Sequence, residues 1–505
     1  MLQVTFCGAA RTVTGSMYFL EYIGPNGDTF KFTVDAGMFQ VGNSLSLFKT
    51  NSHLLFDPKL LDCVVLTHAH LDHCGRLPYL VKNGFGGKIY SSTPTKQIAE
   101  VVMRDAAKLS TDDPDKGQYY FDQKGLFKKD LTKKKPLNED SGAEIPLDGI
   151  KENLGLYTEK DVDTTMYRFI NYEYHEPFKI HPNLQVEFYD AGHILGSCYV
   201  VITEISSGQK VVFSGDLGNR NKPIIHDPEL ASQLDDITHI FVETTYGNRL
   251  HGKQDPKTKL REICYKSLSN RGQVLIPSFS VERAQEIIYY LVELMRENKI
   301  PQVPIFLDSP MASKVLKIML SHPELYDSHM LDNIEDNEHP LVYTKLKILE
   351  SANDSKTLNG YDQPCIIIAG SGMLNGGRII KHLKFHVQNP QNTLIFVGYQ
   401  ADGTLGRKIL EGEKNITIEG AEYEVAIQIE KINEFSAHAD QPILRDWLSK
   451  LLLNQNNQIK PTVFLVHGEK VGSEGLQIEL QKSYGDRINT YWPFFGEKVV
   501  LWEGK

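Results

Sequence analysis

The stretch Cys63-Val-Val-Leu-Thr67-His68-Ala-His70-Leu-Asp72-His73-Cys-Gly75 runs an apolar strand straight into three imidazoles and a carboxylate. These are first-choice ligands for zinc. In a turn leaving a strand, His68 and His70 point to one side while Asp72 and His73 wrap to the other, which suits two metals a few ångströms apart. One histidine here would ordinarily be a hydrogen-bonding loop residue, and Asp72 alone would be a helix N-cap. The order H-x-H-x-D-H is a ligand constellation.

Two metals need more donors than one loop supplies. Candidates at other strand ends are His193 in YDAGHILGS, Asp216 in VVFSGDLGN and His438 in NEFSAHADQ. Each follows an apolar run and precedes small or turn residues, where a side chain can face a sheet-edge cleft. Singly, each has an ordinary structural explanation, such as an Asx-turn for Asp216. Around them the first half reads as strands at Leu2–Cys7, Ser16–Tyr22, Thr29–Val34, Leu184–Tyr189, Cys198–Glu204, Gln209–Ser214 and Ile237–Glu243, with helices at Arg76–Lys82 and Pro94–Leu109. From about Tyr246 strands alternate with helices, the pattern of a second, parallel α/β layer. The 110–163 stretch, rich in lysine, aspartate and glycine, reads as a surface excursion, and its basic run 124–135 as a solvated loop or an RNA phosphate contact.

Together these motifs resemble the metallo-β-lactamase superfamily: Asp35 in FTVDAG, HAHLDH, GHILGS and SGDLG stand in the order of its motifs. The resemblance implies an αββα sandwich with the site at one edge. One Zn2+ would take His68, His70 and His193, the other Asp72, His73 and His438, with Asp216 bridging; Mn2+ is an alternative metal. Asp35 would orient a ligand histidine and fix its tautomer. The later segments FVETTYG, IPSFSVERAQE, LDSPMAS, AGSGMLNGGR, VGYQADGTLGR and FSAHAD are similar to the β-CASP nucleases, in the branch of bacterial ribonucleases and the pre-mRNA 3′-end endonuclease. That resemblance implies an α/β mixed fold with a metallo-β-lactamase domain over 1–247, an inserted β-CASP domain over 248–412 and completion of the first domain over 413–505. It makes Glu243 the acidic residue beside the metals. Where relatives carry a histidine in the GTLGR region, this chain has Arg407 and Lys408. His382, or His386 one helical turn on, is the candidate replacement acid, and a surface pair is the alternative.

A phosphate substrate has independent support. Ser371-Gly372-Met-Leu-Asn-Gly376-Gly377 ends a buried strand and opens a helix, where backbone N–H groups meet an anion. Arg378 lies just inside that helix, and Arg283 at a similar junction; either can fork onto a phosphodiester, or be an ordinary surface arginine. The expected function is hydrolysis of single-stranded RNA by a metal-bridging hydroxide. Asp72 and Asp216 would hold the metals, and Glu243, or a histidine it orients, would assist the leaving 3′ oxygen. The products would be 5′-phosphate and 3′-hydroxyl.

Composition sets the remaining limits. The 505 residues exceed one ordinary core. The six cysteines form no C-x-x-C pair, which fits a reducing, cytoplasmic setting. No apolar run reaches membrane length. A net charge of −10 does not by itself suggest nucleic acid, but it can hide a basic groove. A homodimer and RNA-processing protein partners are compatible with the sequence. The rival readings are a small-molecule esterase or thioesterase, which leaves the second domain unexplained, and a non-catalytic RNA-binding scaffold, which would not keep every ligand position filled.

Overall fold

The computed structural model describes residues 1–41, 44–112, 119–121, 127–129, 155–252, 254–336, 339–401, 403–453 and 460–503. Most of the basic run 124–135 therefore lies outside the described residues.

Two seven-stranded sheets form the sandwich. The first runs Lys498–Trp502, Leu2–Phe6, Tyr18–Ile23, Thr29–Val34, Cys63–Val65, Lys88–Ser91, Phe169–Asn171. The second runs Asn489–Tyr491, Thr462–Val466, Ile237–Glu243, Lys210–Phe213, Cys198–Glu204, Leu184–Asp190, Phe178–His181. Alternate residues of both sheets meet in one apolar layer: Leu2, Val4 and Phe6 face Phe213, Phe241 and Phe464. Helices Leu77–Lys82 and Thr93–Asp112 cover the first sheet. Gln441–Leu451 and Lys470–Tyr484 cover the second, with Trp447 fully buried. This is the expected αββα sandwich.

The chain leaves the sandwich after Ile237–Glu243 and builds a six-stranded parallel sheet in the order Leu346–Ile348, Ile305–Asp308, Ile366–Ala369, Val274–Pro277, Thr393–Phe396, Gln428–Lys431. Its central strands are apolar on both faces because helices lie on both sides. Gln428–Lys431 pairs with Thr393–Phe396, so residues up to about 431 belong to this layer. This strand lies beyond the expected boundary at 412. A short edge strand of sequence QIEK, half buried and charged, carries no strand signature of its own.

Candidate metal centre and active site

The donors lie at or beyond the C-terminal ends of strands. After Cys63–Val65 the chain turns through His68 and His70 into the short helix Leu71–Cys74. The turn is held from below by Asp35, whose carboxylate accepts from the Thr67 amide at 2.8 Å and from the Thr67 hydroxyl, and which bonds His73 Nδ1 at 2.7 Å. Gly37 makes this approach feasible, since a Cβ there would sit 1.5 Å from the Asp72 carbonyl oxygen. Gly218 does the same between the SGDLG and AGH loops, its Cβ position falling 1.7 Å from the Gly192 oxygen. Asp35 thus ties the Thr67 turn to the His73 ring.

The donors gather in three adjoining groups. His68, His70, His193 and Asp216 form the first; Asp72, His73 and His467 the second; Asp216, Glu243 and His438 the third. In the first, His70 Nδ1 stands 3.1 Å from both His68 Nε2 and His193 Nε2, and Asp216 Oδ2 is 3.5 Å from each of the latter. In the second, His467 Nε2 lies 3.2 Å from His73 Nε2 and 3.5 Å from Asp72. Asp216 Oδ1 completes the bridge, 3.3 Å from His73 and 3.5 Å from His467.

Electrostatics follow from burial. It disfavours the charged forms of His68, His70 and His193; neighbouring histidines add to it, and His70 is held at about 3. Three neutral imidazoles are therefore presented to one point, the state a metal requires. Asp216 stays ionised despite burial because His467 and His73 lie beside it. Buried Oδ1 of Asp216 has no hydrogen-bond donor among the described residues. Converging ring nitrogens around an undonated carboxylate oxygen repel one another unless a cation lies among them.

His438 departs from expectation. The place beside Asp72 and His73 is taken by His467, while His438 Nδ1 lies 3.1 Å from both oxygens of Glu243. The reason is topological. His467 ends the strand Thr462–Val466, which pairs with Ile237–Glu243 in the sandwich. His438 instead sits on the return from the second layer, paired with Gly218. His467 has the same signature as His68, a histidine directly after a buried apolar strand, and could have been found by that rule.

His382 is also placed elsewhere. It is buried in the second layer, its Nε2 2.6 Å from Asp308. Asp308 also accepts from Arg378 at 2.6 Å and from Ser355 at 2.6 Å. His386 is buried too, next to Asn392, so the pair is neither at the metal centre nor on the surface. Arg378 also donates to the carbonyls of Leu349 and Glu350. Arg283 is buried in an ion pair with Glu286. Both arginines are committed within the protein. Ser371 bonds within its own loop, to the Asn375 amide and the Gly376 carbonyl, and Gly377 precedes the helix Arg378–His386.

The second layer reaches the metal centre through the loop after Val274–Pro277. Glu282 accepts from the Leu195 amide at 3.4 Å, two residues from His193. The Arg283 guanidinium lies 5.3 Å from the Phe435 ring, three residues from His438.

Comparison with known proteins agrees with this construction. Models match for the metallo-beta-lactamase superfamily over residues 11–149, the Beta-Casp domain over 284–409 and the Zn-dependent metallo-hydrolase RNA specificity domain over 422–493. Fold and donor clusters define a metal-dependent hydrolase built on the metallo-β-lactamase sandwich. The chain is 35% identical over 470 residues to Ribonuclease TTHA0252 of Thermus thermophilus, covering 93% of this chain and 94% of that one. It belongs to the β-CASP ribonuclease family. It is also 30% identical to the RNase J-like protein of Methanocaldococcus jannaschii, over 87% of this chain and 89% of the relative. With Transcription termination factor FttA of Methanosarcina mazei it shares 30% identity over 82% of this chain and 60% of that protein. A crystal structure of a protein of unknown function from Enterococcus faecalis V583 superposes with a TM-score of 0.52 over 99% of both chains; at 12% identity it shows the shared fold alone. Among the described residues no helix is long and apolar enough to cross a membrane.

Proposed function

We propose that this chain hydrolyses phosphodiester bonds of single-stranded RNA at the Asp216-centred site, with two zinc ions, leaving a 5′-phosphate and a 3′-hydroxyl. The observation that carries the reading is the sharing of one carboxylate between two donor groups. Asp216 faces His68 and His193 through Oδ2 and His73 and His467 through Oδ1. The donor set fits divalent zinc, with manganese as the alternative: imidazoles and carboxylates, no thiolate among them, and an undonated carboxylate oxygen at the centre. His68, His70 and His193 would hold one ion, Asp72, His73 and His467 the other. Bound there, the ions would supply Lewis-acid stabilisation of phosphoryl charge and a deprotonated water at neutral pH.

The chain's own residues do the rest. His438 is held by Glu243 through Nδ1, which leaves Nε2 to deliver a proton to the leaving 3′ oxygen. Burial opposes the His438 cation, but Glu243 and Asp216 outweigh it and raise the imidazole to about 9. Glu243 also accepts the Leu217 amide at 2.7 Å, so it locks the acid histidine to the loop that carries Asp216. The ribonuclease name of a 35% relative and the RNA specificity model over 422–493 favour RNA over small esters. Gly372, Gly376 and Gly377 offer backbone donors for the phosphate track, whereas the Ser371 amide is bonded to the Gly376 carbonyl and Arg283 and Arg378 are engaged in ion pairs. The test is metal dependence. Single-stranded RNA should be cut by the metal-replete protein, spared after chelation, and cut again on adding zinc or manganese. Cutting that persists in the stripped protein would sink the reading.

A further inference from the structure

Phe279 leaves the C-terminal end of Val274–Pro277, a central strand of the parallel sheet, yet its ring is 45% exposed. A large apolar side chain at such a site is ordinarily folded inward. Here the two flanking strands, Ile366–Ala369 and Thr393–Phe396, are followed by loops with glycine where the ring passes. A Cβ at Gly372 would sit 3.1 Å from the ring's Cδ2, and one at Gly398 3.1 Å from its Cε2. The ring therefore rests in a notch of two bare backbones, where a Cβ at either glycine would be closer than ordinary van der Waals contact. Tyr399, next to Gly398, is 57% exposed. In open parallel sheets ligands bind beyond the carboxyl ends of the strands. Three and four residues further on, Glu282 bonds the Leu195 amide in the loop of His193 and Arg283 lies over the Phe435 ring in the loop of His438, so the segment that carries Phe279 continues to the metal centre.

Resting on the single-stranded RNA reading above, we infer that Phe279, seated between Gly372 and Gly398, is a stacking platform for a nucleobase of the bound strand. The occupant is a base because an exposed π-face beside backbone amides offers stacking with no charge of its own. Every base has such a face, so recognition is indifferent to sequence. The ring binds and positions; it takes no part in bond cleavage.

The experiment uses a phosphorothioate-protected single-stranded RNA carrying 2-aminopurine at successive positions, titrated against wild type, Phe279→Ala, Phe279→Leu and Phe279→Trp. Cleavage of the unmodified RNA is followed in parallel. At one position wild type should quench 2-aminopurine. Phe279→Ala and Phe279→Leu should abolish that quench and raise Kd and KM roughly tenfold with kcat little changed, while Phe279→Trp restores both. Phe279→Leu keeps the apolar packing, so its failure is not a folding defect. Equal quenching and KM in Phe279→Leu and wild type would overturn the platform while leaving the ribonuclease reading intact. Wild type that binds but never cleaves RNA would overturn the ribonuclease reading while the quench still decides on the platform. Wild type that neither binds nor cleaves would overturn both.

Discussion

Glu243 holds His438 through Nδ1 with both carboxylate oxygens at 3.1 Å, although His438 is placed among carboxylates and imidazoles that gather toward metal. The pairing separates His438 from His467, which stands with Asp72 and His73. His438→Ala should lower kcat roughly 10²- to 10⁴-fold, the usual worth of a general acid, with metal content near wild type. His467→Ala should lose about one metal per chain. Metal analysis beside single-turnover rates checks both, and metal loss in His438→Ala would return that residue to the ligand set.

Asp35 carries a second prediction. It stands at φ 60°, a conformation asparagine tolerates, so Asp35→Asn should fold normally. It replaces the carboxylate that fixes His73 Nδ1 at 2.7 Å. Metal affinity, read by competition with a chromophoric chelator, should fall on the order of 10- to 100-fold. Unchanged affinity would show that the His73 orientation is set elsewhere.

The Asp308 cluster is structural. Burial works against its charge, but His382, Ser355 and Arg378 bond it and keep its carboxyl below the usual range. Asp308→Ala leaves a cation and a histidine uncompensated and should cost about 3–5 kcal/mol in denaturant unfolding. His382→Ala should keep the catalytic rate constant of the folded fraction, against the sequence expectation that it is the acid. A kcat loss of several hundredfold in His382→Ala, at full folding, would restore that expectation.

Much of this was legible beforehand because the chain is locally consistent. Apolar strands that end in His68, His193 and Asp216 predict donors at a sheet edge, and Ile237–Glu243 and Cys198–Glu204 appear with the expected bounds. Edge strands were not legible. Phe169–Asn171 and Asn489–Tyr491 are three residues long, and Gln428–Lys431 is polar, so pairing rather than pattern defines them. Partner choice was equally hidden. Nothing local in FSAHAD tells that its histidine faces Glu243, and nothing in GGRIIKHLKFH tells that Arg378 and His382 turn inward to Asp308. Those outcomes depend on which strands lie side by side.

Glu282 gives the pH dependence. Burial raises its carboxyl to about 7, against an ordinary 4.5, with Lys222 pulling the other way. The folded state therefore holds a proton that the unfolded state has released. Stability should be greatest below about 4.5 from this group and decline as pH rises through 7. Glu282→Gln removes the decline and should be more stable than wild type above pH 7 by ~3 kcal/mol. Chemical denaturation of both proteins at pH 5 and 8 checks it; equal differences at the two values would refute the raised carboxyl.

The most direct measurement is cleavage of a 3′-end-labelled single-stranded RNA by the purified, metal-loaded protein, beside His73→Ala and a matched DNA oligonucleotide, with the new ends identified. RNA cut by wild type alone into fragments bearing 5′-phosphates is the expected result. Intact RNA after incubation with protein shown to hold its metals would contradict the ribonuclease assignment and turn attention to small esters.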